Sequence, residues 1–228
     1  MFSSRLIAPL LLLIPLLSVA NEKNAVRVEA DNVVHDEATG RITYTGNVIV
    51  TREGMELLSD NLVIRRDDET GEGIITASGE PLKFTNSGEE QTIRGDASTA
   101  IYRVDSRQLD LQGSPMNFES VNAQGEKLQG SATVAHYDMT SSRLQMSGSP
   151  VRFIQTPTGD EKPITGTSSN ADYDMERKLL VLSGNAILRQ EGNTVRNDRI
   201  VFNLKESVIT AGARANAKER VETLLELE

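Results

Sequence analysis

The sequence predicts an all-β fold: a continuous antiparallel sheet, built from strand-pair repeats and folded over itself. Three observations predict it. Apolar residues alternate with a period of two, as in Ile42/Tyr44, Leu109/Leu111, Leu144/Met146 and Leu180/Leu182, which puts their side chains on one face of a strand. Polar, turn-rich stretches interrupt the alternation: DDETGEG at residues 67–73, TSS at 140–142 and TPTGDEKP at 156–163. One phrase also recurs along the chain and ends each time in a glycine.

The first twenty residues stand outside this pattern. Arg5 supplies a positive start, LIAPLLLLIPLL follows at residues 6–17, and Ser18-Val19-Ala20 offers small residues at a cleavage site. This predicts a cleaved signal peptide over 1–20 and a single mature domain over 21–228. An uncleaved anchor is the competing reading, but about 20 apolar residues are needed to span a bilayer, and this run is shorter and holds two prolines. With no cysteine, the chain forms no disulfide and has no residue for a lipoprotein anchor. The expected location is the periplasm, with release beyond it as the other reading these residues leave open.

After the leader, VRVEA (26–30) reads as a first strand. Six copies of the repeat follow. Three align without gaps: STAIYRVDSRQLDLQGSP from Ser98, TVAHYDMTSSRLQMSGSP from Thr133 and SNADYDMERKLLVLSGNA from Ser169. In these, Tyr102, Tyr137 and Tyr173 each precede Gly113, Gly148 and Gly184 by eleven residues. Looser copies start at Asp31 (His35, Gly46), Asp60 (Ile64, Gly79) and Asp198 (Phe202, Gly212). Glycine weakens a strand interior, so Gly46, Gly113, Gly148 and Gly184 are expected to mark bulges or bends. Short connections favour antiparallel neighbours; a parallel β-helix is the structural competitor. RVETLLEL (220–227) alternates well enough to be a last strand, although 213–227 is also the one place where a helix is readable.

The formal charge is −9, or −10 without the leader, whose only charge is Arg5. That argues against nucleic acid, which calls for a basic surface. No catalytic or metal constellation is readable: His35 and His136 are far apart, and no nucleophile elbow, phosphate loop or zinc motif is present. Asp172 and Asp174 flank Tyr173, but their chemistry is not repeated in the other copies, and they read as a solvated strand face. The expectation is a protein that is not an enzyme and uses no cofactor and no metal.

The segment EADNVVHDEATGRITYTGNVIVTREGMELLSDNLVI (29–64), with TGNVIVT at its centre, resembles the opening of the LptA/OstA-like family of lipopolysaccharide-transport proteins. YDMERKLLVLSGNAILRQEGNTVRNDRIVFNLKESVITAGARANAKERVETLL (173–225) is similar to that family's closing segment. The middle departs from the family: residues 114–149 look like about one additional repeat. The resemblance implies an elongated, twisted antiparallel β-jellyroll, an open folded-over sheet. It implies a carrier that shields lipopolysaccharide acyl chains in an apolar trough between inner and outer membrane. By matching to the family, Val26, Val28 and Phe84 would face lipid near the entrance; Ile42 and Tyr44, from the alternation, and the repeat aromatics Tyr102, Tyr137, Tyr173 and Phe202, from their shared parity, are the further lipid-facing candidates. The implied partners are an LptC-type inner-membrane protein at the N-terminal edge and an LptD-type outer-membrane protein at the C-terminal edge. Head-to-tail self-association is expected, because uncapped strands at both ends offer open edges. Two other readings stand beside the carrier: a structural or adhesive exported β-solenoid without lipid, and a polysaccharide-acting enzyme on a β-helix.

Overall fold

The structure is a computed structural model. It describes residues 26–212, except 53, 90, 160, 161 and 207, together with residues 222–224. The leader expected over 1–20, and most of the 213–227 segment, lie outside the described residues.

Fourteen strands form one sheet, and among the described residues there is no helix. The chain opens with β1 (Arg27–Glu29), β2 (Asn32–Asp36), β3 (Arg41–Arg52), β4 (Met55–Arg66) and β5 (Gly73–Ser87). It continues through β6 (Gln91–Arg103), β7 (Gln108–Asn122), β8 (Lys127–Asp138), β9 (Arg143–Thr156) and β10 (Ile164–Asp174). It ends in β11 (Leu179–Gln190), β12 (Asn193–Asn203), β13 (Val208–Ala211) and β14 (Glu222–Leu224). From β3 onward each strand pairs antiparallel with the next as far as β13, which excludes the parallel β-helix. The two edges are built alike. β1 and β2 pair with opposite halves of β3, and β13 and β14 pair with opposite halves of β12, so each edge carries two short strands on one long one.

The connections close with side-chain turns. Asp36 accepts from the Ala38 amide at 3.0 Å, Asp67 from Thr70 at 3.0 Å, Asp138 from Thr140 at 2.8 Å and Asp174 from Arg177 at 2.9 Å. An aspartate that bonds the backbone two or three residues ahead imitates a turn. The acidic run at 67–69 is thus a turn, as its composition suggests.

Each long strand is broken near its middle. Register shifts fall between Thr45 and Val48, Ser78 and Leu82, Gln112 and Met116, and Ser183 and Ala186, and a further shift spans Gly148 opposite β8. These breaks contain Gly46, Gly113, Gly148 and Gly184, where the sequence predicts bends, and also the repeat glycine Gly79. Two chemistries make them. In β3 and β11, Gly-Asn pairs take left-handed backbone, with φ of 79° and 45° at Gly46-Asn47 and 76° and 52° at Gly184-Asn185. In β5, β7 and β9, glycine is followed two residues later by Pro81, Pro115 or Pro150, each after a cis peptide bond.

The breaks divide the sheet into two arms whose apolar faces meet. One cluster joins Leu62, Ala77, Leu111, Met146, Leu182 and Ile200 of the first arm to Val48, Leu82, Met116, Val151, Ala186 and Leu188 of the second. Full burial of an aliphatic side chain of this size is worth about 1.5–3 kcal/mol, so the meeting of the arms is the main apolar stabilisation of the fold.

The Gly184 bend can be tested. A Cβ added there would fall 2.9 Å from Ser169 Cβ and Oγ, on backbone already left-handed. Gly184→Val is expected to lower the thermal unfolding midpoint by roughly 5 °C or more, whereas the exposed Arg189→Gln shifts it little. Equal midpoints for the two variants would reject the bend as a constraint.

Candidate functional site

The inward face is organised as cross-strand rows. Ile42, Ile64, Ile75, Tyr102, Leu109 and Tyr137 stand opposite one another on consecutive strands. Leu144, Tyr173, Leu180, Phe202 and Ile209 continue the row to the far edge. The predicted residues Ile42, Tyr102, Tyr137, Tyr173 and Phe202 are therefore brought into one line. Tyr44 stands in the next row, which runs through Leu62, Ala77, Ala100, Leu111 and Ala135 and on to Ala211. Phe202 is 1% exposed. Tyr44 and Tyr173 pack half-buried against the core, and burial pushes the phenols of Tyr137 and Tyr173 above their ordinary range.

The second arm carries its own rows. Val28 faces Val50, Val50 faces Leu57, and Leu57 faces Phe84. From there the row alternates: Phe84, Gly95, Phe118, Gly130, Phe153, Gly166. Val26 stands apart, 54% exposed ahead of β1. The sequence reading missed Phe118, Phe153 and the three glycines. A signal for the rings was present: GEPLKF, GSPMNF and GSPVRF place Phe84, Phe118 and Phe153 five residues after Gly79, Gly113 and Gly148.

The interior between the arms is dry in character. Its buried polar residues, among those described, are Ser59, Ser168, Thr194 and Asn197, and none is charged. It holds a small cavity of about 20 Å³, bounded by Phe118 and Phe153 on one side and Leu144, Tyr173 and Leu180 on the other. A larger concavity of about 570 Å³ lies elsewhere, on the outward face of the second arm among Lys83, Arg94, Asn117 and Arg152.

Charge is kept to the outward face. Arg103 and His136 both meet Asp110, with His136 Nδ1 2.6 Å from Asp110 Oδ1. Asp172 accepts from Arg143 Nε at 2.7 Å and from Gln145. Burial pushes the Asp110 carboxyl upward, but the hydrogen bonds from Arg103 and His136 outweigh it and hold it below the ordinary aspartate value. The Arg143 hydrogen bond likewise holds Asp172 down, against a smaller opposing effect of burial. These groups brace neighbouring strands, and no three of the described His, Asp or Glu side chains converge as a metal site.

An open antiparallel sheet, folded over on an uncharged apolar interior and bearing its ion pairs outside, places the chain in the class of all-β, jellyroll-like folded-sheet proteins. Comparison supplies the family. The family model for LptA/(LptD N-terminal domain) LPS transport protein matches residues 27–119 and 127–208, and the chain belongs to that family, whose members are transport proteins and not enzymes. Lipopolysaccharide export system protein LptA of Escherichia coli K12 is 27% identical over 214 residues, covering 93% of this chain and 77% of that protein. LptA of Shigella flexneri matches to the same extent. Among solved structures, LptH of Pseudomonas aeruginosa, the LptA homologous periplasmic component of the lipopolysaccharide transport device, aligns over 90% of this chain and 96% of its own. The identity there is 17% and the TM-score 0.32.

The Asp110 contacts predict a pH effect. A carboxylate held below its ordinary value of 3.8 contributes stability that is fully present above that value and is lost as pH falls through the lower folded value. Asp110→Asn should cost on the order of 1 kcal/mol at neutral pH and progressively less towards pH 2, as read from urea midpoints. A cost that does not change with pH would refute the assignment.

Proposed function

We propose that the chain is a periplasmic carrier that shields lipopolysaccharide acyl chains between its two arms during transport from inner to outer membrane. The observation that carries this reading is the pair of apolar rows that run without a charged residue from β3 to β13. Membership of the transport family supports it. A twelve-carbon chain in water costs on the order of 10 kcal/mol at roughly 0.8 kcal/mol per methylene. A carrier must remove that cost without holding one site so tightly that cargo stalls. Aliphatic rows repeated from strand to strand offer similar surface along the whole path, and they discriminate little.

The site residues in this reading are Val28, Ile42, Tyr44, Phe84, Tyr102, Tyr137, Tyr173 and Phe202, with Val26 at the N-terminal rim. The mature protein is one domain over 21–228, preceded by a signal peptide over 1–20. The short edge strands are the contact points. At the N-terminal edge, β2 is exposed throughout, and Val33 and Val34 are 60% and 64% exposed. At the other edge Val208 is 49% exposed. Open edges that carry apolar side chains suit strand addition: an LptC-type partner at the first, an LptD-type partner at the second, and head-to-tail copies of this chain between them.

The packed interior favours one rival, a structural β-protein with no lipid ligand. A photoreactive residue separates the two in cells. At Phe84 or Tyr102 it should crosslink to lipopolysaccharide, and at the outward Gln145 it should not. Labelling from Gln145 alone would reject the interior path. The edge contact has its own check. Deleting residues 220–228, which include β14, should abolish concentration-dependent association in sizing experiments, and unchanged assembly would reject it.

A further inference from the structure

The alternating phenylalanines and glycines of the second arm point to a control on cargo length. Each ring lies over the glycine opposite it. A Cβ added at Gly95 would fall 2.7 Å from Phe84 Cε1, and one at Gly166 would fall 2.7 Å from Phe153 Cδ1, with other ring atoms closer still. At Gly130 the Phe118 ring occupies the same place, and the Arg152 carbonyl oxygen would be 3.0 Å away. The rings use space that any other residue would fill.

This arrangement is costly for a sheet and is not used throughout. Glycine inside a strand costs roughly 0.5–1 kcal/mol relative to alanine, and β-branched partners suit strands better. The same row employs ordinary pairs at its ends, Val50 with Leu57 and Leu188 with Val195. The neighbouring row of the first arm employs Ala77, Ala100, Ala135 and Ala171 as its small members. Only the three central hairpins of the second arm remove the Cβ altogether, and each time an aromatic ring lies in the gap. Two of these rings, Phe118 and Phe153, bound the residual cavity of about 20 Å³ and face Leu144, Tyr173 and Leu180 across it.

We infer that the Phe118–Gly130 and Phe153–Gly166 pairs set the depth of the acyl slot, and so the length of linear acyl chain that the interior accepts. This rests on the carrier reading. A ring lying over a glycine takes less width from the space between the arms than a ring lying over a side chain. A shorter side chain at the ring position deepens the slot. A methyl at the glycine lifts the ring and makes the slot shallower.

The two substitutions therefore act in opposite directions, which a purely structural role does not produce. The test is equilibrium competition against a fluorescent lipid A, using lipid A species with uniform saturated chains of 10, 12, 14 and 16 carbons on the mature protein. Phe118→Leu and Phe153→Leu should move the preferred length upward, with affinity for a longer species rising about fourfold for each methylene newly covered. Gly130→Ala and Gly166→Ala should move it downward. Folding of each variant is checked by far-ultraviolet circular dichroism, and the leucine variants carry the test where an alanine variant does not fold. Folded leucine variants with the wild-type length profile overturn the inference while leaving the carrier reading intact. A wild-type protein that binds none of the series overturns both.

Discussion

The break in the middle of each strand is the constraint on which the rest of the structure depends. Without it, strands of 11–15 residues would form one long ribbon with an apolar face open to water. The break lets the two halves of one strand lie in different arms and cover each other. It must occur at a matching level on every strand, because neighbours are locked by ladder hydrogen bonds. That explains the strict recurrence of glycine at the end of each repeat, and why two unlike chemistries serve. Left-handed Gly-Asn and Gly-x-Pro both interrupt the ladder at the required place, and the fold needs the interruption rather than a particular turn.

The same break governs what could be read from the sequence. Before it, alternation is regular, so the tyrosine row of the first arm was legible: Tyr102, Tyr137, Tyr173 and Phe202 share one repeat position and one row. Across it, the step from one inward residue to the next is uneven. In β6, Ala100 and Ala97 are both buried at a spacing of three, and in β7, Leu111 and Met116 at a spacing of five. A period of two cannot be carried through such a step, so Phe118 and Phe153 could not be assigned a face from alternation. Gly95, Gly130 and Gly166 were harder still. They sit 11, 12 and 13 residues after their phenylalanines, because the intervening turns differ in length, and only strand register brings each pair together.

Charge follows from the same geometry. With one face committed to the interior, the charged side chains of these ion pairs take the outward face and the turns. Asp110 therefore meets Arg103 and His136 from adjacent strands, and Asp172 meets Arg143 and Gln145. Asp172 and Asp174, which lie two apart in sequence, serve different ends: one bonds across strands and the other closes the following turn. The close pair of acids here thus has a mechanical explanation.

The edges extend this logic beyond one chain. A folded sheet has no natural end: among the described residues, its first and last strands have a neighbouring strand on one side only. Most proteins blunt such edges with charge, proline or a covering element. Here each edge carries two short strands on one long one, and the first edge has the exposed valines Val33 and Val34. The unlike composition of the two edges matters. An edge that matched itself would close into a two-fold dimer and seal the interior, whereas unlike edges joined head to tail leave it continuous. The apolar rows already stabilise the single chain; in the carrier reading proposed above, they also serve transport if the next molecule carries them on. In that reading, the apolar rows and the exposed edge strands answer one requirement, that the covered path should not stop at the end of the chain.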